Sequence, residues 1–147
     1  MVVSAVSDVA RSRDRGESLM DVDLQEQLYR RYPLIFQERG LPTTETAMVW
    51  GIATGNGWYH LIDGLCAQLQ SETDQLGAPQ IVATQVKEKL GSLRFYVRDA
   101  NDRQSAMIDL AQELSQRVCD VCGGPGAPLE AGRARAARCS AHAEPPR

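Results

Sequence analysis

No window of this sequence approaches the roughly 18 consecutive apolar residues of a membrane-spanning helix, and its opening, MVVSAVSDVARSRDRGESL, lacks a basic start followed by an apolar run. The expectation is a soluble, unexported chain with no membrane partner. Neither sign of charge dominates. With 16 basic against 19 acidic residues the formal charge is −3, so the molecule as a whole is no electrostatic nucleic-acid binder and would need a local basic patch to become one. There is no internal repeat, and no low-complexity run beyond the Ala/Arg-rich residues 131–138. Histidine is scarce, at two residues. His60 has no second histidine in the main part of the chain, and no Ser/His/Asp or Cys/His signature can be assembled around it. The glycine-rich stretch GIATGNG, residues 51–57, has neither the Lys-Ser/Thr ending of a phosphate loop nor a dinucleotide fingerprint, and reads as a turn. These absences point away from an enzyme and from a small-molecule substrate.

A chain of 147 residues is long enough to bury one modest core and too short for two well-filled ones. Residues 1–19 mix small, polar and oppositely charged residues without periodicity and read as a flexible arm, with Met20 a second methionine where the ordered pattern begins. From Asp21, the residues Leu24, Leu28, Tyr29 and Tyr32 recur at helical intervals, with acidic residues at the positive end, and Pro33 ends the helix before Leu34-Ile35-Phe36. Gly40 and Pro42 break the chain, and Thr43 to Thr46 cap a short element running through Trp50. After the Gly55-Asn56-Gly57 turn, Trp58, Leu61, Ile62, Leu65 and Leu69 describe the stripe of a second helix, closed by Gly77 and Pro79.

Between Ile81 and Val97 the period changes to two. Val82, Thr84 and Val86, then Leu93, Phe95 and Val97 beyond Gly91-Ser92, make the apolar face of a two-stranded hairpin. Asp99 and Asn101 cap a third helix with apolar positions Met107, Leu110, Ala111, Leu114 and Val118, which runs without a linker into Cys119. The fold class expected is α+β: about three helices on a hairpin over residues 20–118, a small zinc-ribbon-like module over 119–142, and a disordered tail over 143–147.

Four cysteines are present, three of them clustered with the second histidine. The pattern is Cys119-x2-Cys122, sixteen intervening residues, then Cys139-x2-His142. Two residues between ligands let a tight turn aim both side chains at one ion, and the excursion can return the second pair as a hairpin. Gly123-Gly124-Pro125-Gly126 supplies turn residues, and its glycines free backbone N–H groups to point at thiolate sulfur. Three thiolates and an imidazole suit a structural tetrahedral zinc, with no position left for a catalytic water. A redox pair at Cys119-Cys122 and an iron–sulfur cluster are the competing readings.

Cys66 lies on the stripe of the second helix and reads as a small core hydrophobe. Trp50, Trp58, Tyr59, Phe95 and Tyr96 are largely core candidates, and any that proves exposed is a candidate partner anchor. Arg133, Arg135 and Arg138 alternate with small residues on the returning arm of the module. They read either as a charged ribbon edge that discourages strand pairing or as a contact for phosphates or a partner, which Lys87, Lys89, Arg94 and Arg98 on the hairpin would extend.

The sequence Gly55-Asn56-Gly57-Trp58, the string Val86-Lys87-Glu88-Lys89-Leu90-Gly91-Ser92-Leu93-Arg94-Phe95-Tyr96 and the Cys119-x2-Cys122-Gly123 and Cys139-x2-His142 pairs together resemble a group of small uncharacterised proteins of bacteriophages and prophages, over residues 20–142. In that group the excursion between ligand pairs carries tryptophans and a threonine before the third cysteine; here residues 129–137 are LEAGRARAA. The resemblance implies a mobile-element origin, a bacterial cytoplasm and no particular activity. Accessory proteins of this kind commonly act by occupying a host macromolecule. The leading expectation is therefore a zinc-stabilised inhibitor of a host protein or ribonucleoprotein complex, such as an anti-CRISPR protein acting on a defence system; the alternative is a nucleic-acid-binding zinc-ribbon regulator.

Overall fold

The computed structural model describes residues 19–128 and 136–143. Residues 1–18 of the proposed arm, the tail beyond Ala143, and Arg133 and Arg135 lie outside them. Within them the fold is α+β, with three helices of more than one turn, α1 (Val22–Arg31), α2 (Tyr59–Leu76) and α3 (Asp102–Leu114), and strands β1 (Ile52–Ala53), β2 (Val82–Lys89) and β3 (Ser92–Arg98). The sheet order is β1-β2-β3, with β1 parallel and β3 antiparallel to β2. No helix among the described residues is long and apolar enough to cross a membrane.

Each helix starts or stops for a local reason. α1 ends at Arg31, directly before Tyr32 and Pro33. The left-handed Gly77 (φ 70°) closes α2, its N–H returning to the last turn. Asn101 opens α3 with a full capping box: its side chain accepts from the Gln104 N–H, and the Gln104 side chain accepts from the Asn101 N–H. The core lies between these helices and the inner sheet face and includes Leu28, Phe36, Trp58, Ile62, Leu69, Val86, Leu93 and Phe95. Cys66 is wholly buried there, and burial pushes its thiol far above the ordinary range.

Three expectations need correction. The sheet has a third strand, because residues 51–57 are not only a turn: Ile52 and Ala53 pair with Val86 and Lys87. Ile52 is bound on its other side as well, its N–H donating to Gln25 Oε1 and its carbonyl accepting from the Met20 N–H. Second, the inner face of β2 is Ala83 and Val86, and not Val82, Thr84 and Val86. A bulge between Ala83 and Gln85 inserts Thr84 and shifts the alternation by one residue. The Thr84 carbonyl accepts from the Ala47 N–H and the Thr46 hydroxyl, which pins the turn leading to Trp50.

Third, α3 turns a different face inward. Gln104, Ile108 and Ala111 are buried, with Ser115 just beyond, whereas Leu110 is 59% exposed and Leu114 is also exposed. Hydrogen bonds explain the rotation. β3 is an edge strand, and two of its amides are occupied by this face: Leu93 N–H donates to Ser115 Oγ and Phe95 N–H to Gln112 Oε1. Side chains of α3 and of the turn that follows it thereby cap an edge that would otherwise invite strand pairing. The outer sheet face carries Gln85, Lys87, Arg94, Tyr96 and Arg98, with Gln85 opposite Tyr96 and Lys87 opposite Arg94.

A candidate metal centre seated on the Gly55–Trp58 turn

α3 passes through a short 3-10 turn (Ser115–Arg117) into Val118, which bridges to Pro125 and so folds Cys119–Gly124 into a tight loop. Within it Gly123 N–H donates to the Cys119 carbonyl and Cys119 N–H to the Gly124 carbonyl, while Gly124 N–H points at Cys122 Sγ from 3.4 Å. Gly123 has φ 79°, a conformation other residues adopt only with strain. Ala127 and Arg138 exchange both backbone hydrogen bonds, so the returning arm is held in register. A second tight turn then forms, with the Cys139 carbonyl accepting from the His142 and Ala143 N–H groups.

These two turns bring Cys119, Cys122, Cys139 and His142 together, all four donor atoms lying within 4.8 Å of one another. Cys122 and Cys139 sulfurs are 3.8 Å apart, and His142 Nδ1 lies 3.7 Å from Cys119 Sγ and 3.2 Å from Cys139 Sγ. No disulfide joins the cysteines. A tetrahedron built on metal–sulfur bonds of about 2.3 Å and a metal–nitrogen bond of about 2.0 Å has edges of about 3.8 Å between sulfurs and about 3.5 Å from sulfur to nitrogen. The cluster can hold a metal ion, and Nδ1 is the imidazole nitrogen that faces the thiolates. Burial works most strongly against the Cys119 thiolate, but the N–H groups of Cys139, Cys122 and Val121, with the Cys122 side chain, outweigh it and bring the thiol down to about 6.

The first turn is docked on the body of the protein. Gly57 N–H donates to the Asp120 carbonyl at 2.8 Å, and the buried Trp58 indole N–H donates to the Val118 carbonyl at 2.8 Å. A Cβ on Gly57 would overlap the Cys119 carbonyl oxygen, and one on Gly55 would overlap that of Asp120. Both glycines are therefore required by close approach of another backbone. Asn56, between them, accepts from the Asp21 N–H, tying the same turn to the start of α1.

Asp120 completes the centre, and the sequence reading missed it. Its carboxylate is buried and accepts from Arg138 Nε at 3.1 Å, and its N–H donates to the Ala137 carbonyl. The same guanidinium reaches the His142 carbonyl. Arg138 thus links both ligand turns from inside the module. The available signal was an acidic residue next to the first ligand and a basic one next to the third.

The remaining candidates fall elsewhere. His60 is exposed at the start of α2, its ring edge-on to Tyr59. Arg98 pairs with Glu38 at 2.7 Å, whereas Lys87, Lys89 and Arg94 form no ion pair among the described residues. Of the aromatics, Trp58 and Phe95 are core, while Trp50 is 53% and Tyr96 43% exposed. No family model, curated protein or solved structure matches the chain.

Proposed function

We propose that this chain is a non-enzymatic, zinc-stabilised binding protein that acts in a bacterial cytoplasm by occupying a host protein or ribonucleoprotein complex, in the manner of a phage inhibitor of a defence system. The observation that carries the binding reading is the exposure of Trp50 on a frame whose large aromatics are mostly core. Large aromatics left in water are the residue type that most often anchors partner contacts.

Zinc is the ion that best suits the cluster. Three thiolates and one imidazole match its preference, and four protein donors leave no open position for a reacting water. Iron–sulfur clusters use this ligand set only as a minority. A redox Cys-x2-Cys sits at a helix N-terminus, whereas Cys119 and Cys122 follow the end of α3. Such a site contributes on the order of 10–16 kcal/mol of apparent binding free energy at neutral pH, enough to fold a segment with almost no apolar core of its own. Cys119, Cys122, Cys139 and His142 would hold the ion, and Gly57, Trp58 and Asp120 would transmit that order to the body.

Affinity purification of the tagged full chain from bacterial lysate, with a nuclease-treated arm, tests the function. A stoichiometric protein partner that survives nuclease, and is lost when Trp50→Ala is the bait, is the expected result. Recovery of no protein partner contradicts the reading. The regulator reading through the arginine arm finds less support, since Arg138 is bound to Asp120 inside the module.

A further inference from the structure

We propose that the outer face of the sheet is a binding surface for single-stranded nucleic acid, with Lys87, Lys89 and Arg94 taking phosphates and Tyr96 stacking a base. This goes beyond the reading above, which rests on Trp50, and stands independently of it.

The argument starts from register. Lys87 and Arg94 are direct cross-strand partners on β2 and β3, and like charges placed opposite each other destabilise a sheet. Lys89, opposite Ser92, continues the same row on β2, and among the described residues no carboxylate pairs with any of the three cations. A local conflict of this sort marks a place where something other than the fold sets the residue choice. A polyanion would remove the repulsion. The molecule carries −3 overall, so this row is a local reversal of sign.

Tyr96 decides which polyanion. It lies opposite Gln85 and diagonal to Lys87, with Arg94 and Arg98 two residues away on the same face of β3. It is 43% exposed. The neighbouring β1 position beside Lys87 is Ala53, which adds only a methyl group and keeps the surface low. An acidic protein surface accounts for the cations but not, by charge alone, for a ring among them. A single strand uses both, its phosphates following the charges and an unstacked base covering the aromatic face. Duplex bases are paired and stacked and leave no free face for the ring, so the tyrosine favours a single strand over a duplex. Arg98 is already bound to Glu38 and so marks the end of the row.

The experiment is fluorescence anisotropy of the full, metal-loaded chain against labelled oligothymidylate and oligouridylate of roughly 20 nucleotides, with poly-glutamate as competitor. The expected result is binding that weakens with salt at a log–log slope of about −2, from about 0.7 per neutralised phosphate and three cations. Lys87→Gln with Arg94→Gln should flatten that slope. Tyr96→Leu should weaken binding about tenfold at unchanged slope, whereas Tyr96→Phe should bind as the parent does. Metal content and thermal unfolding of each variant separate lost binding from lost folding. No oligonucleotide binding at low salt overturns the proposal, as does binding that ignores all three positions. Equal competition by poly-glutamate with no effect of Tyr96→Leu also overturns it and assigns the face to an acidic protein. If the parent chain captures a nuclease-resistant protein partner from lysate but binds no oligonucleotide, this inference falls and the inhibitor reading stands. Oligonucleotide binding without any protein partner gives the reverse.

Discussion

Gly57 is the residue at which the Cys/His cluster meets the body. Its N–H holds the Asp120 carbonyl and its missing side chain leaves room for the Cys119 carbonyl. Gly57→Ala should therefore lift the first ligand turn off its seat, at a cost of about 1–3 kcal/mol from overpacking alone. Thermal unfolding should show the loss, and a chromophoric chelator should withdraw the ion faster than from the parent. Gly64→Ala is the control, since a Cβ there meets nothing within 4 Å and replaces glycine inside a helix. A Gly57→Ala protein as stable and as metal-retentive as its parent would show that the seat contributes nothing.

At the scale of elements, the turn segment after α1 is fastened to the end of β3 through Glu38 and Arg98. The hydrogen bonds from Arg98 hold the Glu38 carboxyl below its ordinary value, and Thr46 adds to the effect despite the opposing influence of burial. The folded value is depressed, so the stabilisation is complete above the ordinary glutamate range and is lost as pH falls through the folded value. Glu38→Gln should accordingly lower stability at neutral pH and approach the parent in acid, as measured by denaturant midpoints across pH. A difference that does not change with pH would contradict the assignment. The helices, their stops and the asparagine cap of α3 were legible because capping residues and prolines act locally. β1 was not, because a two-residue strand has no period of its own and is defined by Val86 and Lys87, more than 30 residues away. Nor was the inner face of α3: Gln104 and Ser115 are buried because Pro79 and Leu93 offer hydrogen-bond partners, which hydrophobic spacing does not encode. The bulge at Thr84 defeated the alternation rule in the same way, by a contact with Thr46 and Ala47.

Across the whole molecule the Cys/His cluster was the most legible feature and its seat the least. Cysteine and histidine spacing reports the local turns that aim four side chains at one point, and the cluster forms where that spacing places it. The docking of that cluster on the Gly55–Trp58 turn joins segments some 60 residues apart. It gives Gly55 and Gly57 a purpose that neither a phosphate loop nor a simple turn supplies. A consequence is that order in the C-terminal segment and order around Trp58 are linked.

The most direct test of the account is limited proteolysis of the purified full chain with and without a strong chelator, with zinc content and tryptophan emission read on the same samples. The account predicts one zinc per chain, and on its removal rapid cleavage within residues 119–142 together with a shift in emission as the Trp58 indole loses the Val118 carbonyl. Unchanged resistance of that segment in chelator, or a protein that folds there without any bound metal, would contradict it.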